Sequence, residues 1–195
     1  SILLLQYCDV QMAAFDWALI VSLSSSIAAW YYTWVYVGIT RRQQEANLFN
    51  VLYSEYSQPE FLDSYDLLED FIGNVSVENY AYEYFRLKNT HHPLGRQLDH
   101  ARRTISRWYR KVRLFYIKGP LVWEHYGDVL PGKANAAFFC EIFEPVMFAD
   151  RIGTKRKPSP VFSFYREKYN LGTSAFVLNE TRLAEVGGAN IQRSE

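Results

Sequence analysis

Cysteine, net charge and recognisable catalytic motifs are what this chain of 195 residues has least of. It holds two cysteines, Cys8 and Cys140, and no Cys-x-x-Cys pair, so a structural zinc site of the usual kind is not expected. The two lie on opposite sides of an uncharged segment, which argues against a disulfide between them. Lys and Arg number 21 and Asp and Glu number 21, so the bulk attraction that draws basic proteins to nucleic acid is missing. There is no G-x-G-x-x-G, no Walker loop and no G-x-S-x-G, which leaves no sequence signature for a dinucleotide, a nucleoside triphosphate or a hydrolase nucleophile. No cofactor is expected, and neither a repeat nor a low-complexity tract is evident.

Charge is absent altogether from Trp17 to Thr40, WALIVSLSSSIAAWYYTWVYVGIT. A bilayer core about 30 Å thick needs about 20 such residues as a helix. Ser22, Ser24, Ser25, Ser26 and Thr33 dilute the run, but hydroxyls in a helix can bond back to the preceding turn. Small residues such as Ser24, Ser25, Ala28 and Ala29 also let a neighbouring helix approach closely. Trp17 marks one end, and Trp30, Tyr31, Tyr32, Trp34 and Tyr36 crowd the other, in the manner of interfacial anchors. Arg41 and Arg42 follow at once, whereas Asp9 and Asp16 precede the run without a single Lys or Arg. The positive-inside rule therefore places Arg41 onward on a cytoplasm-like side: cytoplasm, matrix or stroma. The expected layout is an N-terminal segment 1–16 on the outer side and a transmembrane helix 17–40. A soluble helical domain 41–150 and an extended C-terminal arm 151–195 follow. The expected fold class is all-α, a single span followed by a small helical bundle, in a bacterial inner membrane or an organellar inner or thylakoid membrane.

Beyond residue 42 the apolar spacing is helical. The first helix is expected to continue to Tyr56. Ser57, Pro59 and Glu60 read as a capped restart for a helix with Phe61, Tyr65, Leu68 and Phe71 or Ile72 on its buried stripe, closed by Gly73 and Asn74. A third helix is expected over about 77–88 and a turn over 89–95. Leu98, Ala101, Ile105, Trp108, Val112 and Phe115, at intervals of three and four, then form one seam on a long helix, 96–117. Two shorter helices, 121–129 and 133–148, are split by Pro131 and Gly132. The prolines at 158 and 160 and the polar remainder read as an arm.

Charge is segregated along the chain. Between Arg42 and Arg86 stand nine acids and no base, and between Arg96 and Lys118 stand eight bases and one acid, Asp99. Three explanations compete: acidic and basic helices packing with complementary rims, a basic helix on anionic lipid, and nucleic-acid binding, the last disfavoured by the neutral total. Arg102, Arg103, Arg107 and Arg110 are the candidate lipid or partner contacts. Trp17, Trp30, Trp34, Arg41 and Arg42 are the candidate interfacial anchors. His91, His92, His100 and His125 are the only histidines, and without H-E-x-x-H or Glu-x-x-His spacing they do not form a metal signature. Glu141 with Glu144, and Asp63 with Asp66, read as solvated faces rather than acid–base pairs, and Cys140 in AAFFCEIF reads as a packed thiol. The sequons at Asn74 and Asn179 fall on the cytoplasm-like side, which argues against their use.

The order of one span, Arg41-Arg42, LYSEYSQPEFLDSYDLLEDF, LDHARRTISRWYRKVRLFYIKG and a helix ending near Glu144-Pro145 resembles a family of uncharacterised, mostly bacterial single-span membrane proteins with a helical domain of unknown function. The resemblance covers about residues 17–150 and rests on the run Asp99…Arg102-Arg103…Trp108-Tyr109…Val112. It implies no activity and no site residues. The expected function is that of a non-catalytic accessory subunit of a multi-subunit membrane complex, respiratory or photosynthetic, with membrane lipid and neighbouring subunits as partners. The alternatives are a membrane-tethered module that sets its basic helix on lipid, and a histidine-based metal enzyme.

Overall fold

The computed structural model describes residues 2–149, 159–172 and 179–185, with the side chains of 2–16 and of a few further helical residues left aside. It is all-α, with no strand among the described residues. Two compact units divide the chain, Ser1–Ala46 and Asn47–Glu195.

The first unit is formed by the N-terminal part of a long helix, α1 (Ile2–Tyr56). The four hydroxyls Ser24, Ser25, Ser26 and Thr33 each donate to a carbonyl three or four residues back, at 2.7–2.9 Å. They therefore add no unsatisfied donor to the helix surface. Trp17, Leu19, Ile20, Val21, Leu23, Ile27, Trp30, Trp34, Tyr36, Val37 and Ile39 are all exposed. Among the described residues no helix is long and apolar enough by mean hydropathy to cross a membrane. Serine hydroxyls and the polar tips of Tyr and Trp lower the mean of a segment that nonetheless carries no charge.

In the second unit, the end of α1 is followed by α2 (Pro59–Val75), α3 (Val77–Asn89), α4 (Pro93–Lys118), α5 (Trp123–Tyr126), α6 (Lys133–Ala149), α7 (Pro160–Tyr169) and α8 (Glu180–Glu185). The helix restart at residue 57 differs in detail from the capping box the sequence predicts. Gln58 is the N-cap of α2 and makes no side-chain cap, while the Ser57 hydroxyl donates to the Tyr53 carbonyl and so closes α1 instead. Gly73 and Asn74 do not end α2, which runs on to Val75.

The α3–α4 turn is a Schellman closure. The His91 N–H bonds to the Lys88 carbonyl and the His92 N–H to the Leu87 carbonyl, with His91 in the left-handed region at φ 54°. His92 then accepts from the Leu94 N–H and caps α4, whose first residue is Pro93. Two of the four histidines are thus spent on a helix boundary.

Helix α4 is the centre of the unit. Leu98, Ala101, Ile105, Trp108, Tyr109 and Val112 are buried along one side, at helical spacing. It packs most extensively on α2 and next on α3. Trp108 donates its indole N–H to the Leu52 carbonyl at 3.2 Å and stacks obliquely on Tyr56 and Phe61.

The segment after residue 158 is not wholly an extended arm. Val161, Phe162, Tyr165 and Tyr169 recur at one, three and four residues, so the polar sequence around them still folds as a helix with one apolar side, and all four are buried. The Tyr165 hydroxyl donates to the Tyr109 carbonyl at 2.9 Å, and Arg166 reaches Glu144 at 2.7 Å and Glu141 at 3.4 Å on α6. Arg182 of α8 lies over the Tyr82 ring and donates to Asn79 at 2.7 Å. The remainder of the expected arm, 151–158, 173–178 and 186–195, lies outside the described residues, as does Ser1.

Two substitutions test this geometry. Gly95 is buried where α4 crosses the end of α3, and a Cβ there would stand 2.5 Å from the Leu87 carbonyl carbon and oxygen. Gly95→Ala is expected to destabilise the chain by about 1–3 kcal/mol in chemical denaturation, because the obstacle is backbone that cannot swing away. Ser76, between α2 and α3, has φ 74° and ψ 151°, a region that only glycine enters without strain. Ser76→Gly is expected to stabilise by about 1 kcal/mol, the relief of strain exceeding the added flexibility of the unfolded chain.

Candidate functional site

Arg102 and the row Arg96, Arg103, Arg107 and Arg110 stand on opposite sides of α4, and this division defines the site. Arg102 points inward. It follows Leu98 by four residues and precedes Ile105 by three and Tyr109 by seven, which puts it in phase with the buried seam. Its Nε donates to the Tyr84 hydroxyl at 2.9 Å and its Nη2 to Asp99 Oδ1 at 2.7 Å, and the Tyr84 hydroxyl donates to the same carboxylate oxygen at 2.7 Å. Arg103 Nε lies 2.7 Å from Asp99 Oδ2 on the outer rim. Expected as a surface contact, Arg102 is instead buried and fully engaged in joining α3 to α4.

The electrostatics follow from that closure. Burial opposes ionisation of Asp99, but the hydrogen bonds from Tyr84 and Arg102 and the charges of Arg102 and Arg103 outweigh it and hold the carboxyl below its ordinary range. Burial also lifts the Tyr84 hydroxyl above its usual range, so it stays protonated and donates. Beside this network the Tyr80 hydroxyl is buried without a hydrogen-bond partner.

The outward side of α4 carries Arg96, Arg103, Arg107 and Arg110, all exposed. Along the seam between α4 and α2 lie two open clefts that share Glu60. One, of about 370 Å³, is bordered by Glu55, Gln58, Glu60, Thr104, Arg107 and Lys111 above a base of Phe61 and Trp108. Lys111 is ion-paired with Glu55 in it. The other, of about 720 Å³, is bordered by Glu60, Asp63, Leu67, Arg96 and His100. His100 approaches Glu60 at 3.6 Å.

The remaining candidates are placed as follows. Arg110 directs a guanidinium nitrogen to Met147 Sδ at 3.9 Å. Trp17, Trp30, Trp34, Arg41 and Arg42 are exposed on the first unit. The histidines do not converge: His91 and His92 shape the α3–α4 turn, His100 is on α4 and His125 on α5. Among the described residues no group of three or more His, Cys, Asp or Glu is arranged to hold a metal ion. Cys140 is buried on α6, and burial pushes its thiol up to about 12. The sequon asparagines serve helix geometry, Asn74 donating to the Asp70 carbonyl and Asn179 accepting from the Arg182 N–H.

The chain matches no protein family, no curated protein and no solved structure in comparison.

Sequence reasoning missed Tyr84, Lys111 with Glu55, and Arg166 with its two glutamates. The helical phase of Arg102 against Leu98, Ile105 and Tyr109 was a readable signal that it faces inward. Nothing local points to Tyr84 as its partner, because the contact spans 18 residues and a turn.

The Asp99 network has a defined pH signature. A depressed carboxyl pKa contributes stability that is present above the unfolded-chain value and is lost as pH falls through the lower folded value. Acid titration of stability is therefore expected to steepen below about pH 4 in the wild type and to flatten in Asp99→Asn. Asp99→Ala is expected to cost about 3–5 kcal/mol, since it strips a buried guanidinium of its counter-charge. Equal acid slopes in the wild type and Asp99→Asn would sink this assignment.

Proposed function

We propose that this chain is a non-catalytic accessory subunit of a membrane complex, anchored by residues 17–40 and working through its helical domain as a binding surface. The observation that carries the reading is the exposed apolar and aromatic surface of 17–40. Large contiguous apolar surface on a chain is covered by lipid or by another protein. The internal hydrogen bonds of Ser24, Ser25, Ser26 and Thr33 fit a helix in a medium that cannot solvate hydroxyls. Trp30, Trp34 and Tyr36 just ahead of Arg41 and Arg42 fit the aromatic and cationic order at a cytoplasm-like interface.

A second reading, a tethered module that lays its basic helix on anionic lipid, draws on the exposed Arg96, Arg103, Arg107 and Arg110. The exposed aspartates of the neighbouring α2 oppose an anionic surface, so the subunit reading is preferred.

The anchor is tested by extraction. The chain is expected to resist alkaline carbonate, to dissolve in detergent, and to migrate on a native gel with other chains, well above its own 22.8 kDa plus micelle. Release by carbonate alone would overturn the anchor, and migration as a lone chain would overturn the subunit role. Replacing Arg41 and Arg42 by Glu is expected to scramble the sidedness of the helical domain, read by protease protection in sealed vesicles.

A further inference from the structure

The acidic and basic rows on the α2–α4 side of the second unit match in pattern more than they meet in contact. Asp63, Asp66 and Asp70, at i, i+3 and i+7, line one outward row of α2, and all three are exposed. Arg96, Arg103, Arg107 and Arg110, at i, i+7, i+11 and i+14, line the outward row of α4. The two helices run antiparallel. Glu60, at the start of α2, meets His100 and borders Arg107, whereas Asp63 and Leu67, further along, border Arg96. Among the described residues the three aspartates make no ion pair, and neither do Arg96 and Arg107. Among the described residues, His100 of α4 approaches Glu60 of α2 at 3.6 Å. Asp63, Asp66 and Asp70 of α2 and Arg96 and Arg107 of α4 thus lie side by side with their charge unspent among the described residues.

We propose that this face binds a second copy of the chain, α2 of one copy lying over α4 of the other. The symmetry follows from the charge. A two-fold axis parallel to the helices, in the plane of the interface, sets each aspartate row on the partner's arginine row twice over. A two-fold perpendicular to the helices in the same plane would set aspartates on aspartates and arginines on arginines. An interface of this kind is isologous, each contact occurring twice, and its charge fixes orientation and rate more than affinity. The clefts of about 370 and 720 Å³ leave room along the seam for the partner's long arginine side chains. An anionic lipid surface would use the arginine row alone and be repelled by the aspartates; only an occupant carrying both signs satisfies both rows. The inference concerns the second unit by itself and does not rest on the membrane reading.

The test is a charge swap in the full chain, in detergent, with two differently tagged copies. One variant carries Asp63→Lys, Asp66→Lys and Asp70→Lys; the other carries Arg96→Glu and Arg107→Glu. Arg103 is spared because it holds Asp99, and Arg110 because it sits on Met147. Wild-type copies are expected to capture each other, with association falling about tenfold or more as salt is raised from low to several times physiological strength. Each reversed variant is expected to lose self-capture, and the two mixed together to regain it, since both rows are then complementary again. That recovery also shows that both variants fold. Wild-type copies that fail to associate at low salt, or reversed variants that fail to pair on mixing while keeping native helicity by circular dichroism, would overturn the proposal. So would association with anionic vesicles that Arg96→Glu with Arg107→Glu abolishes and the aspartate reversal leaves unchanged, in the absence of self-capture.

Discussion

Tyr109 lies flat on Phe139, ring centres 3.9 Å apart and planes within 3°, and much of the second unit is built outward from that stack. The Tyr109 hydroxyl donates to the Asn135 carbonyl at 2.9 Å, and its own carbonyl accepts from Tyr165 at 2.9 Å. One residue thereby joins α4 to α6 and to α7. Stacked and edge-on aromatic pairs contribute about 0.5–1.5 kcal/mol each beyond the area they bury. Tyr165, Phe143 and Phe162 extend the cluster around the same stack. The high aromatic content therefore has two distinct destinations, a packed interior in the second unit and an exposed surface in the first.

That interior constrains the charges. With one side of α4 committed to the stack, a base on that side must bring its own counter-charge or remain outside. Arg102 is accepted because Asp99, one turn earlier on the same helix, and Tyr84 from α3 close around its guanidinium. An uncompensated buried guanidinium would cost several kcal/mol. Arg96, Arg103, Arg107 and Arg110 are left exposed on the far side, where α2 presents aspartates in a neighbouring row, while Arg113 lies half-buried over the Phe164 ring. The sidedness of α4 is thus a consequence of packing, and the bipolar face is what packing leaves over.

The first unit obeys a different constraint. From Trp17 to Thr40 no Asp, Glu, Lys or Arg interrupts the helix, the hydroxyls of Ser24, Ser25 and Ser26 are turned back onto its backbone, and its large side chains stand in the open. Its mean hydropathy is held down by hydroxyls that bond to their own backbone and by Tyr and Trp. Its exposed apolar and aromatic side chains are the ground on which the anchor is proposed.

How much could be read in advance differs from element to element. The seam of α4 was legible because Leu98, Ala101, Ile105, Trp108 and Val112 keep helical spacing over four turns, and periodicity of that length has no competing explanation. The restart at Ser57 was legible in position but not in chemistry, since one hydroxyl can close the helix before it or open the one after it, and only the backbone geometry selects. The helix at 160–169 was obscured by flanking prolines and polar residues, although Val161, Phe162, Tyr165 and Tyr169 carry its phase. Of the candidate site, sequence alone determined that α4 is basic, that α2 is acidic and that 17–40 is uncharged. Only the tertiary structure decided that Arg102 turns inward while Arg107 turns outward, and that Asp63, Asp66, Asp70, Arg96 and Arg107 make no ion pair among the described residues. A helix rotates about 100° per residue, so neighbouring arginines face apart, and which of them meets the core depends on where α3 and α6 lie. That position is set by contacts such as Tyr84 with Arg102 and Tyr109 with Phe139, between residues too far apart in the chain for local pattern to record.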